Sequence, residues 1–394
     1  MKFKTTLIRL VCILLAGVVA LGVFGLVRPL PTTAPTLVAL AAPVPVAVSL
    51  PWPAAGQAAI GTLDSGLLAS HGDQTPAPIA SVAKVITALA VLKQKPLAAG
   101  QQGPTITFDS TDVSYYTYYY QNDGSVARVA DGEQITEYQA LQAMLLPSAN
   151  NMADSLVRWA FGSMDAYVVY ANQMVAAMGL RNTTVAGASG FADQTRSTAT
   201  DLITLAQSAL GDPVLADIVS QTQATVPEAG IISNVNWLLG SDGVIGIKTG
   251  NTDQAGGCFM FAAKRVVQGQ TITVIGAVIG DTDLNQAISD GRGLIQASDS
   301  NFRTVGIKAG QTIGSYKTPW GATAKAVTVR AASLLLWNDK SATIKPVVNR
   351  VRTPAVGTNV GSVTVSSGVK TANTPVVTQS AIKKPPISWR LSHF

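Results

Sequence analysis

Ser81 and Lys84 stand three positions apart in Ser81-Val82-Ala83-Lys84, at the head of an apolar run with helical spacing that continues to Leu92. Residues i and i+3 share a helix face, so the amine falls one turn from the hydroxyl. The start of a helix also brings free N–H groups and partial positive charge to Ser81. Those features favour a developing alkoxide and an oxyanion. A serine nucleophile still needs a base. The chain has only two histidines, His71 and His393. That inventory disfavours a Ser-His-Asp triad, and lysine is the available base. At a free pKa of about 10.4 it is mostly protonated near neutrality, so it must be desolvated or placed beside another cation. A shift of about 3 units costs about 4 kcal/mol. Lys248 is the candidate neighbouring cation.

Two further clusters complete the set. Ser148-Ala149-Asn150 follows Pro147, where one helix pattern stops and the next begins. Ser148 can pass a proton toward a leaving group, and Asn150 can orient Lys84 and hold a substrate amide. Lys248-Thr249-Gly250 closes the strand pattern Gly246–Gly250. Lys248 and Thr249 can bind a terminal carboxylate. Gly250 lets a substrate backbone lie along that strand. The N–H groups of Ser81 and Asn251 are the candidate oxyanion donors. Each motif alone is weak; Ser81 would be a plain helix cap and Lys84 a solvated lysine. In this order and context the three together are specific.

The elements that must position these residues follow from periodicity. A hairpin is expected over 58–71, turning at Asp64-Ser65-Gly66, then a helix over Ser81–Leu92. Helices are expected at 136–146, 151–161, 164–178 and 202–210, the last preceded by the capping pair Thr198 and Asp201. From Val244 the pattern turns to strands at 244–248, 257–264 and 271–280, followed by a helix at 284–297. This order implies an α+β unit with helices beside an antiparallel sheet. Residues 104–131 are polar and tyrosine-rich with no helical period. The run Tyr115–Tyr120 reads as a half-buried edge, and Cys258 as an inert core residue. Beyond 304, short strands separated by Gly, Pro and Thr turns predict a small all-β domain.

The bulk numbers bound the rest. A chain of 394 residues suits two or three domains, and 47% hydrophobic with 13% charged residues supports folded cores. The net charge of +6 is not gathered into a basic run, which gives no support to nucleic-acid binding. Two cysteines and two histidines cannot build a disulfide framework or a structural zinc site. Lys2, Lys4 and Arg9 precede eighteen uncharged residues, Leu10–Val27. As a helix that run is about 27 Å long, close to the hydrocarbon thickness. The charge placement predicts an N-in orientation with the bulk exported. Residues 1–28 thus read as a signal anchor in preference to a signal peptide, because the Ala39-Leu40-Ala41 site lies well beyond the apolar run. Residues 29–54, with seven prolines, read as an extended spacer.

The sequence resembles the low-molecular-weight penicillin-binding proteins, the serine-type D-alanyl-D-alanine carboxypeptidases. The likeness is carried by residues 77–84 (APIASVAK), 146–151 (LPSANN), 197–201 (STATD) and 246–256 (GIKTGNTDQAG). It implies a penicillin-binding/β-lactamase-like fold over 55–304, with a helical subdomain, and a β domain over 305–388. It implies trimming of the terminal D-alanine of peptidoglycan stem peptides through an acyl-enzyme on Ser81, with no cofactor and no metal, and acylation by β-lactam antibiotics. On that pattern Ser81 and Lys84 are nucleophile and base, Ser148 and Asn150 assist, and Lys248, Thr249, Gly250 and Asn251 bind substrate. The expected location is the extracytoplasmic face of the bacterial membrane. Two departures stand out. Many relatives carry an arginine just after the last sheet strand, where this chain reads Gly280-Asp281-Thr282-Asp283. Carboxylate recognition would then rest on Thr249 and Lys248. The C-terminal Pro385-Pro386-Ile387-Ser388-Trp389-Arg390 also lacks the amphipathic helix through which several relatives are anchored. A D,D-endopeptidase would use the same site. A class A-like β-lactamase needs a glutamate between the second and third motifs, and none occurs from Tyr138 to Pro227.

Overall fold

The structure of the protein, a computed structural model, describes residues 2–41 and 43–393. The chain divides into two units: Ser49–Asn301, and Met1–Val48 together with Phe302–Phe394.

The first unit is α+β. Its sheet has five antiparallel strands: β1 (Gln57–Thr62), β2 (Gly66–His71), β3 (Val244–Thr252), β4 (Gly256–Val267) and β5 (Gln270–Asp281). Their spatial order is β3-β4-β5-β1-β2. The chain therefore makes a hairpin, leaves for the helices, and returns to complete the sheet. The interior stretch of β4 (Gly257–Ala263) is buried throughout. It is covered on both faces, so it reads as a continuous apolar run rather than an alternating one.

The helices supply the rest of the core. Helix α2 (Ala83–Gln94) buries every residue from Ala83 to Leu92. A helix apolar on all sides must be a core helix. Its two buried polar members, Lys84 and Thr87, therefore need internal partners. Packed with it are α4 (Glu137–Leu145), α5 (Asn150–Phe161), α6 (Met164–Ala177) and α7 (Ala199–Gly211), while α3 (Ser110–Gln121) packs on α5. Capping boxes at Asp109/Asp112 and Thr136/Gln139 start α3 and α4, while Gly162 in the left-handed region ends α5. Helix α8 (Pro213–Val219), the hairpin Gln223–Val226/Gly230–Ser233 and α9 (Leu284–Ser298) complete the unit.

The expected helices and strands are present with small shifts, and three expectations are corrected. The tyrosine run is helix α3, not an irregular edge. Only Asp112 and Tyr119 of that helix are buried, so no apolar period marks it. Ser81 does not open an α-helix. It sits in a 3₁₀ turn, Ala80–Val82, that precedes α2. The Pro-rich segment is not a free spacer throughout. Thr36–Leu37 pairs with Gly314–Ser315, and Thr33 bridges Val351. Extended Pro-rich backbone is suited to the edge of a sheet.

The second unit is mainly β. A six-stranded antiparallel sheet includes Thr36–Leu37, Thr312–Lys317, Thr323–Thr328, Thr343–Val348, Asn359–Ser367 and Lys370–Thr378. Its core gathers Ile313, Tyr316, Val363, Val365 and Val376. Helix α1 (Lys2–Val27) belongs to this unit, with a long apolar stretch, Phe3–Val27, that contains an 18-residue window of mean hydropathy 2.9. The C-terminal residues form a short helix, α10 (Ile387–Ser392), which packs against α1 and places Trp389 beneath Arg28 at 5.8 Å.

Candidate functional site

The amine of Lys84 is fully buried and meets three acceptors. It donates to Ser81 Oγ at 2.7 Å, to Asn150 Oδ1 at 2.7 Å and to the Ser189 carbonyl at 2.9 Å. All three acceptors are neutral. Burial, followed by the charge of Lys248, pushes the amine well below the usual lysine range. Lys248 is itself buried, and burial lowers it to about 7. Its Nζ donates to the Thr249 carbonyl at 3.0 Å. The charge of Lys248 thus adds to burial in opposing protonation of Lys84. A lysine in that condition can take a proton from a hydroxyl 2.7 Å away.

The turn that carries Ser81 is set by backbone geometry. Ala80 is buried with φ +43°, which turns the chain sharply before α2. Two glycines make room for this turn. A Cβ on Gly250 would lie 2.9 Å from Ser81 N, so β3 runs directly over the amide of Ser81. Gly190 has φ +69°, and a Cβ there would lie 1.9 Å from the Ala80 carbonyl. Ser81 alone of this turn is half-exposed, with Ala80 and Val82 buried on either side. Ser81 is thus held at the surface by buried neighbours.

The second cluster is placed by the α4–α5 junction. Asn150 opens α5, and its backbone N–H donates to the Ser125 carbonyl at 2.7 Å. Asn151 brackets Ala127, accepting from its N–H at 3.1 Å and donating to its carbonyl at 2.9 Å. Segment 125–127 therefore clamps the start of α5 and aims Asn150 at Lys84. Ser148, two residues earlier, is buried with φ +68°. A non-glycine residue held in the left-handed region marks a place where the surroundings dictate the backbone.

The structure joins Ser81, Lys84 and Asn150 by hydrogen bonds, brings Gly250 against Ser81, and sets Lys248 where its charge acts on Lys84. Ser148 enters beside Asn150 on the junction, and Thr249 and Asn251 enter as the neighbours of Gly250 on β3.

Sequence reasoning missed the other half of the lysine's cage. Ser189 contributes only a carbonyl, which no side-chain motif advertises. Thr87, one turn beyond Lys84, donates to the Ala188 carbonyl at 2.7 Å and lies 2.7 Å from the buried Tyr167 hydroxyl. Successive turns of α2 thus grip successive carbonyls of the 188–189 strip. Tyr119 and Asp154 were also missed. Tyr119 Oη donates to Asp154 Oδ2 at 2.8 Å. The i, i+4 spacing of Asn150 and Asp154 was the available signal.

A protein family described as D-alanyl-D-alanine carboxypeptidase matches residues 46–282. The chain is 32% identical over 214 residues to the D-alanyl-D-alanine carboxypeptidase DacB2 of Mycobacterium tuberculosis, a match spanning 52% of this chain and 69% of that protein. The solved structure of the Streptomyces K15 DD-transpeptidase superposes with a TM-score of 0.56 at 25% identity, covering 64% of this chain and 98% of that one. Penicillin-binding protein 5 from Haemophilus influenzae shares the fold over 86% of this chain and 100% of its own, with a TM-score of 0.61 at 20% identity.

Proposed function

Because the chain belongs to the D-alanyl-D-alanine carboxypeptidase family, we propose that it removes the terminal D-alanine of peptidoglycan stem peptides through an ester on Ser81. The observation that carries this reading is the buried, pKa-lowered Lys84 amine 2.7 Å from the Ser81 hydroxyl. In acylation, Ser81 Oγ attacks the carbonyl of the penultimate D-alanine while its proton moves to Lys84 Nζ. The Ser81 and Asn251 N–H groups receive the oxyanion. The proton then passes, with Ser148 as carrier, to the leaving nitrogen, the C–N bond breaks, and D-alanine departs. Water attacks the ester with Lys84 again as base, and Ser81 is restored. Lys248 and Thr249 hold the terminal carboxylate, and Gly250 lets the substrate backbone lie along β3. β-Lactams, which present a reactive amide in the same position, acylate Ser81 by the first half of this sequence.

The two units divide the work in this reading. Ser49–Asn301 is the catalytic domain. Helix α1 spans the membrane, with Lys2, Lys4 and Arg9 on the cytoplasmic side and the rest of the chain exported. The enzyme thus acts on the wall polymer from the extracytoplasmic face.

A pentapeptide ending in D-Ala-D-Ala tests the reaction. Free D-alanine is expected in one-to-one yield with the shortened peptide, together with slow turnover of a bound penicillin. Cleavage of cross-linked dimers without D-alanine release would instead assign a D,D-endopeptidase. Rapid penicillin hydrolysis would assign a β-lactamase.

A further inference from the structure

Lys84 faces only neutral acceptors, with a second amine nearby, yet it must become a cation each time Ser81 is acylated. We propose that Asp154, held by Tyr119, is the positioning residue that supports the transient Lys84 cation from behind the site. The proposal rests on the assignment of Ser81 and Lys84 as nucleophile and base.

Helix α5 presents Asn150 and Asp154 on one face, one turn apart. Asn150 reaches Lys84 at 2.7 Å. Asp154 accepts from Tyr119 Oη at 2.8 Å, and that hydroxyl lies 3.4 Å from Ser189 Oγ. The Ser189 carbonyl is the third acceptor of Lys84, at 2.9 Å. Lys84, Asn150, Asp154, Tyr119 and Ser189 therefore close a ring around the amine. Phe191 secures the Ser189 side: its N–H donates to Ser189 Oγ at 3.3 Å, and its ring meets Tyr119 edge-on at 5.3 Å. Behind the ring is a cavity of about 180 Å³, bordered by Tyr119, Asp154, Ser189, Gly190 and Phe191.

The charges facing this pair come from every packed element. Helix α2 contributes Lys84, and β3 contributes Lys248 next to it. Tyr115 and Tyr119 come from α3 and Tyr167 from α6; burial and the Asp154 charge raise all three phenols. Arg158, one turn further along α5, is occupied by Asp109 and Asp112. Asp154 is thus the carboxylate whose field reaches Lys84, and it opposes the lowering by burial and Lys248. Burial pushes Asp154 itself up to about 6, while the Tyr119 hydrogen bond and Lys84 favour its ionised form.

The step needing this support is balanced within the site. The Ser81 O–H bond breaks as Oγ–C forms, and the proton goes to Lys84 Nζ. It is then handed to the leaving nitrogen as C–N breaks. Without a nearby carboxylate, the lysine would be a weaker base at the moment it must hold that proton.

Second-order acylation rates with a fluorescent penicillin, from pH about 5 to about 9, test the idea on the parent, Asp154→Asn and Tyr119→Phe. Asp154→Asn removes the charge that favours the cation. Its maximal rate is expected to fall about tenfold, with the acid limb moving to lower pH by about half a unit or more. Tyr119→Phe keeps the carboxylate but loses the hydrogen bond that favours its ionised form. Less of Asp154 is then ionised at acid pH, so its acid limb should move the same way, toward lower pH, by a smaller amount. A purely structural tie between α3 and α5 would lower the labelled fraction and leave both limbs in place, and that result overturns the proposal. Should Asp154→Asn fail to fold, the direction of the Tyr119→Phe limb decides. An unlabelled parent would instead sink the Ser81 assignment.

Discussion

Replacing Lys84 by methionine should abolish acylation, lowering its rate at least about 10³-fold, while leaving the fold intact. The loss corresponds to about 4 kcal/mol of transition-state stabilisation. The fold should survive because methionine is an unbranched side chain of similar length that suits the apolar surroundings of α2. Three hydrogen bonds from the amine disappear, to Ser81 Oγ, Asn150 Oδ1 and the Ser189 carbonyl. Their loss is offset by no longer burying an amine, so stability should change by no more than about 2 kcal/mol. Lys84→Arg separates basicity from charge. A guanidinium does not give up its proton in a protein and cannot serve as base. It should be as inactive as methionine. Recovery of acylation by arginine would mean that Lys84 acts through its charge alone. The readouts are penicillin labelling rate and thermal unfolding of each variant.

The second large effect concerns Lys248, which is expected to act in two ways. Its positive charge lowers Lys84, after burial. Lys248→Ala should therefore let Lys84 keep its proton to higher pH, and the acid limb of acylation should move upward. Its protonated form also pairs with the substrate carboxylate. Burial sets Lys248 at about 7 in the free protein, so carboxylate binding is complete below that pH and is lost as pH rises through it. The alanine variant should lose this alkaline limb and react about 10²- to 10³-fold more slowly with carboxylate-bearing substrates near neutrality. An acid limb unchanged in position would remove Lys248 from the tuning of Lys84. A retained alkaline limb would remove it from carboxylate binding.

Much of this arrangement was legible because chemistry and secondary structure coincide in it. The i, i+3 pair Ser81/Lys84 already places an amine by a hydroxyl, and an apolar run around it already implies burial. One helix end was readable where Pro147 interrupts a period. The unreadable parts are those made by backbone or by few buried residues. Nothing in Ala80 announces φ +43°, so the 3₁₀ turn looked like the first turn of α2. Helix α3 buries only Asp112 and Tyr119, so its polar tyrosine sequence carries no stripe; the capping pair Asp109/Asp112 was its only local mark. Ser189 acts through a carbonyl, which any residue provides. Thr36–Leu37 joins a sheet through partners nearly three hundred residues away, beyond the reach of local pattern.

The central claim is that the Ser81 hydroxyl, activated by Lys84, forms the covalent intermediate. Intact-mass measurement after incubation with a penicillin, followed by mapping of the modified peptide, tests it most directly. One penicilloyl group is expected per parent molecule, located on Ser81, with none on a folded Ser81→Ala variant. An adduct on another residue, or equal labelling of Ser81→Ala, would contradict the account.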